Sequence, residues 1–276
     1  MAPGMILGRR PGLIVRAAGD AREIAAAQHL RYRVFYEELS AQPDEAARLQ
    51  RRDADRFDPI CDHLLVIRAP QDGVSADPVL TRDGELIGTY RLLRQSVARQ
   101  HFGFYTQDEF DLDPLLTRKS SLDFLELGRS CVLKPFRTKP VVELLWQGIW
   151  SYVRLHGLDV MMGCASLEGT DPEIHAEALS FLGYSCASPE EWRVRAQPHR
   201  YVEMKRLGPD EVDAKRALKA LPPLIKGYLR LGCSIGEGAV IDRQFNTIDV
   251  LIMLPVSAIE TRYFDKFGAR GAALEA

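Results

Sequence analysis

The run Leu122–Leu133 (LDFLELGRSCVL) constrains this chain most. It is almost continuously apolar, yet it carries Glu126 and Arg129. A half-wet strand would alternate polar and apolar residues, whereas a continuous run marks a central strand covered on both faces. The segment KPFRTKP follows, and Pro140 falls at the opening position of a helix, where its missing N–H costs nothing. Over Val141–His156, the residues Val141, Leu144, Leu145, Gly148, Ile149, Tyr152 and Leu155 recur at helical spacing, and Gly157 ends the run. Val160–Leu167 (VMMGCASL) is then a second buried strand. Buried strand, helix and buried strand predict an α/β fold built in three layers.

The rest of the chain extends that pattern. Gly12–Ala18 reads as a short strand, and Asp20 caps a helix over Ala21–Leu39. Asp53–Asp62 is a charged loop, Cys61–Ala69 and Glu85–Leu93 are strands, and Pro70–Pro78 is turn-rich. Val97–Leu116 suits short helices. A helix starts at Pro172 behind Thr170 or Asp171 and ends near Gly183, and Tyr201–Leu207 is a further strand. Beyond Gly208-Pro209 the character changes: a charged helix over Asp210–Leu221, the breaker Pro222-Pro223, an apolar stretch with Lys226 and Arg230, and a hydrophobic run over Ile248–Ile259. We place one domain at 12–207 and a C-terminal extension at 208–276.

Composition narrows the class. The 276 residues carry 36 basic and 38 acidic side chains, a net charge of −2, so the chain lacks the basic excess of a nucleic-acid protein. No apolar stretch approaches the roughly 20 residues of a membrane span, and the N-terminus has no signal-peptide core. Five widely spaced cysteines with no C-x-x-C pair fit reduced thiols in a cytoplasmic protein.

The charges inside apolar strands are the candidate functional residues, because a buried charge must be compensated. Alternation puts Glu126 on one face with Leu122, Phe124 and Val132. Arg129 falls on the other, unless a bulge at Gly128 re-aims it. Arg91 lies inside ELIGTYRLL in the same way. Arg31 and Phe35 are four apart and share a helix face, as a snorkelling arginine beside a core aromatic would. The loop RRDADRFDPICDH holds Asp53, Asp55, Asp58, Cys61, Asp62 and His63, but its spacing matches no metal site. It reads as a solvated acidic loop, and no metal is expected.

In order, the segments R-x-R-V-F-x-E-E-L, D-x-x-D, G-x-Y-R-L-L and E-L-G-R-S-C-V resemble the acyl-homoserine-lactone synthases over roughly residues 12–170. These are GNAT-fold enzymes that take acyl groups from acyl carrier protein. Their recurring positions fall on Arg31 and Phe35, Asp55 and Asp58, Arg91, Glu126 and Arg129. Over nearly the whole chain, tail included, the sequence resembles the bacterial ornithine N-acyltransferases. The shared segments are RYRVFYEE, ELGRSCV and a DFNT-type segment, here Gln244-Phe245-Asn246-Thr247.

That resemblance implies a mixed central sheet flanked by helices. It also implies transfer of a 3-hydroxyacyl group from acyl carrier protein to the α-amine of L-ornithine, giving lyso-ornithine lipid. Glu126 would take the amine proton, with Arg129 beside it in the catalytic pair. A main-chain N–H of the central strand would meet the oxyanion. Arg31, Arg91 or Arg129 would clamp the amino-acid carboxylate, Asp55 or Asp58 would meet the side-chain ammonium, and Phe35, Phe124 and Trp146 would line the acyl channel. One departure bears on the donor. Acetyltransferases of this fold carry R/Q-x-x-G-x-G/A to cradle the pyrophosphate of coenzyme A, but here the segment is Arg137-Thr138-Lys139-Pro140-Val141-Val142. Lys134, Arg137 and Lys139 would instead meet the single phosphate of phosphopantetheine, or the acidic face of the carrier protein. No cofactor beyond that donor arm is expected. The basic amphipathic stretch with Lys215, Arg216, Lys219, Lys226 and Arg230 offers either a peripheral contact with the anionic inner membrane or a helix packed on the core. The same transfer to glutamine or lysine is the alternative reading. So is a non-catalytic module that binds carrier protein or membrane.

Overall fold

The structure is a computed structural model of the chain, and residues 2–70 and 78–259 are described. In chain order the strands are β1 (Ile6–Arg10), β2 (Leu13–Ala17), β3 (Asp62–Arg68), β4 (Leu80–Thr81), β5 (Gly84–Arg94), β6 (Phe110–Asp111), β7 (Phe124–Val132), β8 (Val160–Glu168), β9 (Arg195–Ala196), β10 (Tyr201–Val202), β11 (Ser234–Asp242) and β12 (Thr247–Pro255). The helices are α1 (Ala21–Tyr32), α2 (Glu45–Gln50), α3 (Gln95–Ala98), α4 (Asp113–Arg118), α5 (Lys139–His156), α6 (Ala176–Ser185), α7 (Ala214–Ala220) and α8 (Pro223–Arg230). The chain divides into two compact units. Among the described residues one takes those up to Leu93 together with Leu127–Gly157, and the other takes Arg94–Glu126 and those from Leu158 to Ile259.

In the first unit β1, β2, β3 and β5 follow one another in antiparallel pairs, with the end of β7 beside β5. Helix α5 packs on β1, β2 and β3. Its buried stripe is Val141, Leu144, Leu145, Ile149, Tyr152 and Val153, while Leu155 is exposed at the edge of that stripe. Gly148 lets the helix come close, since a Cβ there would sit 2.7 Å from Val15 Cγ2. Gly157 ends the helix in the left-handed conformation at φ 61°. Lys139 is the first helical residue, so Pro140 stands second. Strand β1, unread in the sequence, pairs with β2.

The predicted helix over Ala21–Leu39 is α1, capped by the Asp20 side chain on Glu23 N–H at 3.0 Å, followed by a π-helical segment over Arg33–Glu38. The wider π turn separates the two residues that a regular helix would keep on one face. Arg31 turns to aspartates. Phe35 packs with Phe136 against a cluster of Leu30, Val34, Leu65, Ile67 and Leu133.

In the second unit the order is β7, β8, β12, β11, β9 and β6, with β10 added to β11. Pairing of β7 with β8 is parallel and covers Phe124–Glu126 against Val160–Met162, where it stops. Pairing of β8 with β12 is antiparallel over all nine residues. A boundary at residue 208 is therefore not what the sheet shows, because β11 and β12 complete the sheet that β8 begins. The Gln244–Thr247 segment is the turn between them. Asn246 takes φ 53°, and Asp242 Oδ1 accepts the Phe245 N–H at 2.9 Å.

Three predicted elements are shorter than expected. Helix α6 starts at Ala176 because the Asp171 side chain holds Glu173 in a turn. The strand at Tyr201 ends at Val202, since Ser180 Oγ takes the N–H groups of Arg206 and Leu207 and bends the chain away. Helix α7 starts at Ala214 under the Asp213 cap. Ala217, Leu221, Ile225, Tyr228 and Leu231 of α7, α8 and their flanks are buried, so part of that apolar stretch packs within the protein, while Leu218 is exposed. No helix among the described residues is long and apolar enough to cross a membrane. Part of the turn-rich Pro70–Pro78 stretch, and the chain after Ile259, lie outside the described residues.

Candidate active site

In the first unit the sequence-flagged charges meet in one network. Arg31, 1% exposed, donates to both oxygens of Asp58, Nη1 to Oδ1 and Nη2 to Oδ2, each at 2.8 Å. Its Nε lies 2.8 Å from Asp53 Oδ2, and its Nη2 also donates to the Asp53 carbonyl. Arg91 Nη1 reaches both oxygens of Asp55 at 2.7 Å and Asp58 Oδ1 at 3.2 Å. Arg129 reaches Asp53 Oδ2 and Asp55 Oδ2, each at 3.2 Å. Three guanidinium groups thus meet three carboxylates, the arrangement a buried charge needs. His63 Nε2 lies 3.0 Å from the Asp58 carbonyl.

The electrostatics follow from that geometry. Burial alone would raise the Asp58 carboxyl, but the hydrogen bonds and charge of Arg31 and the charge of Arg91 outweigh it and hold the group well below the usual carboxylate range. Asp55 is held down in the same way by Arg91 and Arg129. Burial pushes His63 down and keeps it neutral.

The loop read as solvated is therefore buried and paired. The apolar strands β3 and β5 and helix α1 exclude water, and their arginines need anions close by. Asp55 and Asp58 are committed to guanidinium groups, so a substrate ammonium would have to compete for them. Arg31 and Arg91 are equally committed to aspartates. Arg129 and Asp55 are the more open corner, with side chains 13% and 22% exposed. Arg129 sits inside β7 at φ 52°, a conformation rare for a residue with a side chain, and this re-aims it toward the aspartates.

Glu126 lies in the second unit, near the end of the β7–β8 pairing. Its Oε2 accepts the Tyr105 N–H at 3.0 Å and its Oε1 the Thr106 N–H at 2.7 Å. It fixes the start of the Tyr105–Asp108 turn and is held by it. Phe124 is fully buried in the core and Trp146 half-buried on α5. Lys134, Arg137 and Lys139 are exposed around the start of α5. Arg137 donates to the Val132 carbonyl at 2.8 Å and pairs with Glu38 at 2.5 Å. Burial pushes the thiols of Cys131, Cys164 and Cys186 up, so they stay protonated and unreactive.

Residues 30–147 match the acetyltransferase (GNAT) domain family. The L-ornithine N(alpha)-acyltransferase of Brucella abortus is 49% identical over 265 residues, covering 96% of this chain and 92% of that protein. Its namesake from Rhizobium meliloti is 50% identical over 264 residues, covering 96% and 87%. That of Rhodobacter capsulatus is 38% identical over 256 residues, covering 93% and 95%. The chain belongs to this family, the L-ornithine N(alpha)-acyltransferases.

For a member of this family the motif residues divide into two sets. Arg31, Asp53, Asp55, Asp58, Arg91 and Arg129 form the charge network, and Glu126 accepts the Tyr105 and Thr106 N–H groups. A third set escaped the sequence reading: Glu109, Asp242 and Asp249, all buried and gathered in the second unit. The signal was present, because Asp249 lies inside the apolar run TIDVLIMLP just as Glu126 lies inside its own.

Proposed function

We propose that this chain moves a 3-hydroxyacyl group from acyl carrier protein onto the α-amine of L-ornithine, giving lyso-ornithine lipid. The observation that carries this reading is the 49–50% identity, over 96% of the chain, to L-ornithine N(alpha)-acyltransferases. In the reaction the amine lone pair attacks the thioester carbonyl carbon. The C–N bond forms and the C–S bond breaks. The amine proton passes to a base, and the thiolate leaves on the phosphopantetheine arm and is protonated. Glu126 is the base, directly or through water, because the Tyr105 and Thr106 N–H groups hold its carboxylate in one position. The oxyanion is met by main-chain N–H of β7 just after Glu126. Arg129, the most open of the three network arginines, suits a carboxylate ligand.

A carrier-protein donor is favoured over coenzyme A by the start of α5. Pro140 removes an N–H from the first turn, and the glycines of a pyrophosphate cradle are absent. Exposed Lys134, Arg137 and Lys139 suit one phosphate and an acidic partner surface. The exposed side chains of Lys215, Lys219 and Arg230 suit a peripheral contact with anionic lipid, where the amphiphilic product would be released.

The test is a direct assay with mass detection. Purified protein is given 3-hydroxyhexadecanoyl carrier protein and equal amounts of ornithine, lysine, glutamine and homoserine. The expected result is N-acyl-ornithine appearing with free carrier thiol. An acyl-glutamine product, or turnover only with the coenzyme A thioester, would overturn the corresponding half of the proposal.

A further inference from the structure

Three carboxylates converge in the second unit. Glu109 precedes β6, Asp242 ends β11 and Asp249 lies within β12. The register sets Val240 opposite Asp249 and Asp242 opposite Thr247, so both aspartates share one sheet face. The other face of β12 is Ile248, Val250, Ile252 and Leu254, which serves the core. Glu109, Asp242 and Asp249 are 1%, 8% and 6% exposed, and each offers an oxygen within 4.8 Å of the other two.

The Glu109 charge is under-compensated. Arg200 Nη2 lies 3.6 Å from Glu109 Oε1. Glu109 Oε2 is buried and has no hydrogen-bond partner among the described residues. In the Arg31 network, by contrast, each carboxylate meets a guanidinium at 2.7–3.2 Å. Burial, then the charge of Asp249, push the Glu109 carboxyl up to about 7, with Asp242 adding to the push and the Cys164 thiol and Arg200 opposing it. A proton is thus retained where a cation would be better placed.

We infer that Glu109, Asp242 and Asp249 bind the side-chain ammonium of the acceptor amino acid and so set its specificity. The inference rests on the acceptor reading above. An ammonium has three donors, and three carboxylate oxygens match them. Three acceptors about 2.8 Å from one nitrogen in tetrahedral directions stand roughly 4.6 Å apart, which the observed cluster admits. The cluster also adjoins the proposed base. Cys164 Sγ lies 3.9 Å from Thr106 Oγ1, and the Thr106 N–H holds Glu126. The Cys164 thiol in turn hydrogen-bonds Glu109. An amino acid whose ammonium sits in the cluster would have its α-amine on the Glu126 side.

The test compares L-ornithine with L-norvaline, the same α-amino acid without the ammonium, in the wild type and in Glu109→Gln, Asp242→Asn and Asp249→Asn. The expected result is a KM for ornithine raised roughly tenfold or more in the variants, with kcat/KM for norvaline unchanged or higher. An unchanged ornithine KM in all three variants, or equal losses for both acceptors, would overturn the inference. So would loss of turnover on chelation with recovery on adding Mg²⁺ or Mn²⁺, which would make the cluster a metal site. The acceptor reading is separable from it. A wild type that acylates lysine and not ornithine overturns the acceptor and keeps the ammonium site, whereas acylation of glutamine overturns both.

Discussion

Replacing Glu109 with glutamine should stabilise the protein above neutral pH, and the size of the effect can be worked out. Burial and the neighbouring Asp249 push the Glu109 carboxyl up to about 7. In the unfolded chain a glutamate titrates near 4.3, and each unit of difference is worth about 1.4 kcal/mol. A group raised in this way favours the folded state while it is protonated. That contribution, about 4 kcal/mol, is fully present below pH ~4 and is lost as pH rises through about 7. At pH 8 the wild type therefore holds a buried, crowded anion. Glutamine keeps the shape and drops the charge. For a chain of this size about 4 kcal/mol corresponds to roughly 8–16 °C in Tm. Thermal melts of both proteins at pH 5, 6.5 and 8 make the measurement. The variant should melt near the wild type at pH 5 and several degrees above it at pH 8. A gap independent of pH, or a wild type that is the more stable at pH 8, would refute the reasoning. Gained stability with lost ornithine use would mark the cluster as one kept for function at a cost to the fold.

Two further perturbations probe the other charge network. Asp58 has the opposite sign: Arg31 and Arg91 depress it, so its contribution is present above pH ~4 and is lost as pH falls toward its folded value; thermal melts of the wild type should drop between pH 5 and 3, and Asp58→Asn should flatten that slope from a lower start. Replacing Arg31 with methionine takes from Asp53 and Asp58 their nearest cation and leaves only Arg129 and Arg91 at 3.2 Å; urea unfolding should show a loss of about 3–5 kcal/mol, and a loss under about 1 kcal/mol would mean that the pairs contribute little.

The fold was largely legible because its signals are local. The continuous apolar runs of β7 and β8, the stripe of α5 and the stop at Gly157 each follow from a few neighbouring residues. What escaped depends on distant partners. Nothing near Asp53, Asp55 and Asp58 in sequence says that α1, β5 and β7 each deliver an arginine to them, so a charged loop reads as wet. The π segment after Tyr32 is equally silent, since its residues suit an α-helix. The DFNT-type segment was recognised as a family mark, but its role as the β11–β12 turn needed the register of two strands. Asp249 is the instructive omission. The rule that flagged Glu126, a charge inside an apolar run, applies to it unchanged.

The pairing of β8 with β12 has a consequence for how the protein is made. The ribosome delivers β8 about 80 residues before β12 emerges to cover its edge. At about 5–20 residues per second that is a wait of roughly 4–16 s, with a long apolar strand lacking its neighbour. Each unit, moreover, draws on stretches separated in sequence, so neither can be finished while its later stretch is still unmade. The nascent chain therefore exposes an apolar strand edge until β12 is out, and a stop codon before residue 247 would leave a sticky fragment rather than a smaller working enzyme.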